Sequence, residues 1–398
     1  MTLPRARGRG VYAAFVLVLA VIATSTAAAS IRSAQGCTKI TVGANESLTG
    51  VSASIGTYYA KGFLLGIQRA NGKGGFKVGG KCYRFNGDLI DNQSNPAQSI
   101  SAYQRFVSQS VKFIFGPAIN NYFVPAFQVL GNTDNNLVIA PPAAVPTLVT
   151  TPQGKNLFDP LVQTPGAGGQ IAQEVRVAVK HFHPATVALL WPNDGAGQIH
   201  LPAAQAAFEK YGVKVVYAKY FDGTTRDFSS YIAAIRAENP GMIMMGYLDA
   251  WLKPFVDQAI QAGFTKPVIV GGIGTTTAAV DTSKISRYVF AIPTVALGNV
   301  ADPAVADFRA AYTKKWGTPP TDGAWPAAAY YDPVLMLAKA MQIAGTVSDV
   351  SKIANAMKTK AATKYPGRML KLAFDKTGLA HYALRVGIIL NGKTSYAK

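Results

Sequence analysis

"CTKITVGANESLTG", residues 37–50, is the stretch on which the fold turns. Ile40, Val42 and Ala44 alternate with Lys39, Thr41 and Gly43, the period-two pattern of a short strand. The chain then becomes polar at Asn45, Glu46 and Ser47 and runs on to Thr49 and Gly50. Why should a buried strand empty into a polar loop? And why does it begin beside Cys37, one of only two cysteines in the chain?

Outward from this strand, the pattern alternates. A helical stretch over 54–71 carries Phe63, Leu64, Ile67 and Ala70 on one face, and "NGKGG", 71–75, stops it. A strand follows over 82–90, a helix over 96–109, a strand over 111–116, a helix over 119–130 and a strand over 137–141. The alternation then resumes: strands at 185–192, 213–221, 241–247 and 267–272, with helices at 199–211, 227–238 and 250–262 between them. Such βα runs predict parallel sheets covered by helices, here as two successive units. "LFDPLVQTPGAGG", 157–169, and "YVFAIPTVALG", 288–298, have the character of crossovers, and a long helix is expected over 324–345. Open parallel sheets bind ligands beyond the carboxyl ends of their strands. On that rule "NESLTG" is a ligand-side loop, although an ordinary turn reads as well.

The first 29 residues have the form of a secretory signal peptide. Arg5, Arg7 and Arg9 precede the apolar core "VYAAFVLVLAVIAT", 11–24, and "AAA", 27–29, offers small residues for cleavage. An uncleaved anchor is the alternative; a lipoprotein is disfavoured, because "SAQG" before Cys37 lacks the usual Leu. Losing three arginines and no acids takes the formal charge from +19 to +16. The basic residues are dispersed, with no tract interleaved with aromatics, so nucleic acid is not the expected partner. The excess charge still favours anionic ligands. In an exported chain, two cysteines suggest one disulfide, Cys37–Cys82, if their strands are parallel neighbours. Two free thiols or an intermolecular bridge are the alternatives.

In their order and spacing, "ITVGANESLTG", "IGTYYAKGFLLGIQRANGKGG", "DNQSNPAQSI", "FIFGPAINN", "VIAPPAA", "TTRDFSSYIAAI" and "AAAYYDPVLMLAKAM" resemble the branched-chain amino-acid (Leu/Ile/Val-binding) type of ABC-transporter substrate-binding protein. The resemblance spans nearly all of the chain beyond residue 37. It implies an α/β type I periplasmic-binding-protein fold with two Rossmann-like lobes, 38–160 plus 291–382 and 161–290 plus 383–398, joined by three crossover strands. It also implies a periplasmic monomer that holds a small solute between the lobes, closes by hinge motion and docks on the permease and ATPase subunits of an importer. A sensory module of the same fold is the second reading; neighbouring genes for a permease and an ATPase, or for a kinase or cyclase, discriminate the two.

Carried over position by position, the resemblance gives the candidate ligand residues. Asn120 stands where relatives often place a Ser for the ligand carboxylate, and Ala143 and Ala144 stand where backbone and a Thr complete that cradle. Ile55 takes an aromatic position. "NDGAG" contributes Asn193, Asp194 and Ala196, the last in place of a Tyr. Asp249 falls at another Tyr position, with Trp251 two residues on. Ile273 replaces the Glu that holds an α-ammonium. The expected solute is therefore a small amino-acid-like, carboxylate or amide compound, with leucine, isoleucine and valine bound weakly unless Asp249 or Asp194 supplies the missing acid.

Enzyme signatures are wanting: no GxSxG, HExxH, P-loop or CxxC occurs. "HFH", 181–183, reads as an extended segment with two histidines on one side, and only His200 and His381 remain to complete a metal site, so no metal and no cofactor are expected. "GGIG", 271–274, lacks the third Gly and later acid of a dinucleotide site.

Overall fold

Strand β1 (Thr38–Glu46) grows more buried along its length, exposed at Thr38 and Lys39 and wholly inside from Val42 to Glu46. The computed structural model describes residues 36–142, 144–162, 169–246, 249–271, 287–293, 302–317, 325–382, 384–390 and 393–396. The signal segment 1–29 lies outside them, and residues 37–398 form one compact unit.

After β1 come helix α1 (Ala53–Ala70), the hairpin β2 (Phe76–Val78) and β3 (Lys81–Asp91), then α2 (Pro96–Ser108), β4 (Phe113–Phe115), α3 (Asn120–Phe127), β5 (Leu137–Ile139), α4 (Val145–Leu148) and β6 (Leu157–Phe158). A second series follows: α5 (Gln170–Phe182), β7 (Thr186–Pro192), α6 (Gly197–Lys210), β8 (Lys214–Phe221), α7 (Ser229–Ala237), β9 (Met242–Gly246), α8 (Asp249–Gln261), β10 (Val268–Gly271) and β11 (Arg287–Pro293). The chain ends with α9 (Pro303–Trp316), α10 (Trp325–Ala344), α11 (Val350–Met357), β12 (Ala373–Phe374), β13 (Ala380–His381), β14 (Leu384–Leu390) and β15 (Lys393–Tyr396).

Among the described residues the strands make a six-stranded sheet, ordered β2-β3-β1-β4-β5-β6, a seven-stranded sheet, ordered β15-β14-β11-β10-β9-β7-β8, and a two-stranded antiparallel pair, β12-β13, beside the first. The central strands of each sheet are parallel. Buried on both faces, β4 (FIF) and β9 (MIMMG) are continuous apolar runs, as such strands must be. The chain passes between the sheets three times: from β6 to α5, from β11 to α9, and from β13 to β14. This is the α/β type I periplasmic-binding-protein architecture, with one lobe on each sheet.

The first lobe closes only through the distant helix α10, which lies against α1. Tyr59 and Tyr330 pack with ring centroids 4.7 Å apart, and Phe63 and Tyr330 each lie 5.3 Å from Phe115. Gly62 allows the approach, since a Cβ there would lie 1.8 Å from the Ala327 carbonyl oxygen. Local chemistry fixes the helix starts. Asn95 Oδ1 accepts from the amides of Ala97 (2.8 Å) and Gln98 (3.3 Å), with Pro96 pre-set at the first turn.

The sequence pattern and the structure part company at a few places. Residues 181–183 are not extended: α5 runs through Phe182, and His183 caps it in the left-handed region at φ 45°. The histidines therefore diverge on a helix end. β2 escapes the pattern because three residues are too few for a period. The antiparallel pair β14 and β15 extends the second sheet beyond the βα alternation.

Cys37 and Cys82 form a disulfide, with Cα atoms 4.6 Å apart. They precede Thr38 and Tyr83, which are paired at the amino ends of adjacent parallel strands. The bond closes a loop across a sequence separation of 45, for which chain entropy gives roughly 3–4 kcal/mol of stabilisation. Replacing both cysteines with serine should lower unfolding stability in urea by about that amount. Solute affinity should stay unchanged, because the bond lies at the opposite end of the sheet from the carboxyl-end loops.

Candidate functional site

The polar loop after β1 is stitched to the turn between β3 and α2. Asn45 Nδ2 donates to Ser99 Oγ (2.8 Å), and Asn92 Nδ2 donates to Asn45 Oδ1 (3.1 Å). Ser47 Oγ donates to Asn92 Oδ1 (2.7 Å). Asp91 accepts from the Leu48 amide (2.9 Å) and from the Thr49 hydroxyl (2.8 Å). These side chains bury polar groups at the sheet's carboxyl end only because each finds a partner. After this stitched stretch come Val51, which is exposed, and Ser52, which is buried.

They face a cavity of about 350 Å³. The first lobe contributes Val51, Ser52, Ile119, Asn121 and Tyr122. Facing them in the second lobe are Asn193, Asp194, Gly223, Thr224, Arg226 and Trp251. Every one of these follows the carboxyl end of a parallel strand: β1, β4, β7, β8 or β9. That is where helix starts and loop amides are available to a ligand.

Hydrogen bonds hold both walls. Ser52 Oγ and the Tyr122 hydroxyl lie 3.1 Å apart. Asp194 Oδ1 accepts from the amides of Ala196 (3.1 Å) and Gly197 (2.7 Å), starting α6. Trp251 is buried, packs edge-on against Phe221 and donates Nε1–H to the Gly223 carbonyl (2.8 Å). Arg226 Nη1 donates to the carbonyls of Gly223 (3.2 Å) and Thr225 (2.7 Å). The walls also touch directly: the Gly195 amide donates to Asn121 Oδ1 at 3.4 Å.

Of the residues singled out in the sequence, the cavity gathers Asn193, Asp194 and Trp251. Asn120 and Ala144 are brought together, but onto each other, with Asn120 Oδ1 accepting from the Ala144 amide at 2.9 Å. Ile55 and Ala196 are buried in the core. Ala143, Ile273 and the Asp249 side chain lie outside the described residues. The sequence pattern does not single out Val51, Ser52, Tyr122 and Arg226, although "SLTGVS", "INNYF" and "TTRDFSS" carry them. Among the described residues no three His, Cys, Asp or Glu side chains converge as metal ligands.

Beneath the first wall sits Glu46, fully buried. Tyr330 donates its hydroxyl to Oε1 at 2.6 Å, and the Ala118 amide approaches Oε2 at 3.4 Å. Burial outweighs these bonds and raises the Glu46 pKa from the ordinary 4.5 to about 8.

Residues 39–387 match the periplasmic binding protein family, so the chain belongs to that family of extracytoplasmic proteins. Its similar curated relatives include proteins of the Leu/Ile/Val-binding type. The Leu/Ile/Val-binding protein BraC3 of Rhizobium johnstonii is 25% identical over 349 residues, 85% of this chain and 88% of that one. The leucine-, isoleucine-, valine-, threonine- and alanine-binding protein of Pseudomonas aeruginosa is 25% identical over 339 residues, 83% and 84% of the two chains. Two solved structures share the fold. The branched-chain amino acid transporter substrate binding protein LivJ of Streptococcus pneumoniae, in complex with isoleucine, has a TM-score of 0.72 at 22% identity, over 90% of this chain and 99% of that one. A solute binding protein of an ABC transporter from Rhodopseudomonas palustris, in complex with p-hydroxybenzoic acid, has a TM-score of 0.70 at 20% identity, over 90% and 98%. No helix among the described residues is long and apolar enough to cross a membrane.

The raised pKa of Glu46 links protons to folding. The folded state keeps the proton that the unfolded state releases near pH 4.5, so this contribution to stability is complete below about pH 4.5 and is lost as pH rises through about 8. Asp332, raised from 3.8 to about 6 mainly by its burial, acts in the same sense at lower pH. Urea unfolding of the wild type should therefore weaken between pH 4.5 and 8. Glu46→Gln, which cannot ionise, should flatten the upper part of that fall; an unchanged slope would contradict the assignment.

Proposed function

We propose that this protein is the extracytoplasmic solute-binding component of an ABC importer. The observation that carries the reading is the cavity between the lobes, walled by loops from the carboxyl ends of both sheets. A site divided in this way binds most tightly when its halves approach, so ligand and closure are coupled. Residues 1–29 act as a cleaved signal. The lobes 38–160 plus 291–382 and 161–290 plus 383–398 rotate as bodies about the three connections, and the loaded form docks on the permease. The chain binds solute and does not turn it over.

The solute is a small amino-acid-like, carboxylate or amide compound with an apolar or aromatic body. Tyr122 and Trp251, with Val51 and Ile119, support that body. An α-ammonium brings a charge that must be paired once buried. Ile273, which stands where relatives have the pairing Glu, is apolar. Leucine, isoleucine and valine are accordingly weak ligands.

A thermal-shift screen over amino acids, amides, aromatic acids and small carboxylates tests the reading, because a ligand of the folded state raises its stability. At least one solute should raise Tm, and at saturation it should reduce the radius of gyration in small-angle scattering. A screen without any shift, or a saturated protein of unchanged radius, would oppose it.

Gly195 lies where the two walls touch. A Cβ on it would lie 2.5 Å from Asn120 Nδ2, and Asn120 is itself buried and held by Ala144. Gly195→Ala should therefore hold the walls apart and weaken binding of the selected solute by about 1–3 kcal/mol, the usual scale of overpacking. Calorimetry measures that loss. The Tm without solute should stay within a few degrees of the parent's, since neither core is touched.

A further inference from the structure

The two ends of the cavity differ in what they offer a charged group. On the first-lobe side, the Ala144 amide, the group expected to receive a ligand carboxylate, already donates to Asn120 Oδ1 at 2.9 Å. The first-lobe lining presents two hydroxyls, the Asn121 carboxamide and apolar groups, with no charged side chain among the described residues. In the second lobe, Arg226 is the one cation among the described lining residues and Asp194 the one acid. Asp194 Oδ1 is engaged by two backbone amides at the start of α6.

Arg226 is presented by a loop with little freedom. Asp222 Oδ1 accepts from the Thr224 amide (2.7 Å), and the Asp222 carbonyl accepts from the Thr225 amide (2.9 Å). Gln258 spans the loop's end, donating to the Arg226 carbonyl (2.8 Å) and accepting from the Phe228 amide (2.6 Å). Trp251 pins Gly223. The guanidinium is oriented in turn, because Nη1 donates to two carbonyls of its own loop. Its Nε and Nη2 donors remain for the cavity, in the planar fork that suits a carboxylate.

Resting on the solute-binding reading above, we infer that Arg226 reads the acid group of the ligand, and that the physiological solute is an organic anion with a ring or other flat apolar body. The anion binds at the second-lobe end, beside Trp251. The body lies toward Val51, Ile119 and Tyr122. Selection between an acid and its neutral amide is then a property of Arg226.

Benzoate and benzamide make the test, since they share a ring and differ in charge. In calorimetry the wild type should bind benzoate at least tenfold more tightly than benzamide. Arg226→Gln should lose at least tenfold for benzoate and less than threefold for benzamide, and Arg226→Lys should recover part of the benzoate loss. The exposed position of Arg226 predicts an unchanged Tm for both variants without solute. Equal losses for acid and amide, or benzoate binding indifferent to Arg226, would overturn the assignment. So would a wild type that binds leucine and not benzoate, which leaves the solute-binding reading intact. A wild type that binds none of the three in this assay, and no compound in the wider thermal-shift screen, overturns both.

Discussion

The Tyr330–Glu46 hydrogen bond joins residues 284 positions apart and fixes the floor of the cleft. Glu46 ends the central strand β1; Tyr330 belongs to α10, which covers that strand's lobe from the far part of the chain. A carboxyl group inside a protein is tolerated when it is neutral or well paired, and here burial holds the proton on. The same group receives the amide of Ala118, one residue before Ile119, which lines the cavity. The first-lobe wall of the cavity is therefore positioned by a buried acid that does not line it.

Around that acid, the amide and hydroxyl side chains of the β1 and β3 loops satisfy one another. The pairing of Asn45 with Ser99 and of Asn92 with Asn45 and Ser47 accounts for a buried strand ending in polar residues. The polarity of "NESLTG" chiefly builds the scaffold, and the two residues after it line the cavity. The cavity lining is thus displaced by a few positions from the most polar part of the loop.

The architecture was largely legible in the sequence, because helix and strand periods are local properties. The strand over 39–44 and the helix over 54–71 agree with β1 and α1 to within two residues at each end, and the cysteine pair follows once their strands are neighbours. The site was less legible. Ser52 and Tyr122 lie 70 positions apart and meet only in the fold. Arg226 sits in a polar turn that resembles any solvated loop. Its meaning comes from Trp251 and Gln258, which hold that turn against the cleft. Asn120 was legible as a residue of interest, but its bond to Ala144 depends on how two strand ends align, which no spacing encodes.

The distance between α1 and α10 along the chain has a consequence for the order of folding. The apolar face of α1, with Tyr59 and Phe63, has no cover until residues near 325–344 have been made. The second sheet likewise lacks β14 and β15 until residues 384–396 arrive. Each lobe is interrupted by the other, so neither is a contiguous stretch that can close early. Long-range contacts of this kind slow folding and leave apolar surface open during synthesis. The last quarter of the chain serves as a shared clasp, and the nascent protein stays unlocked, and accessible to holding factors, until that clasp emerges.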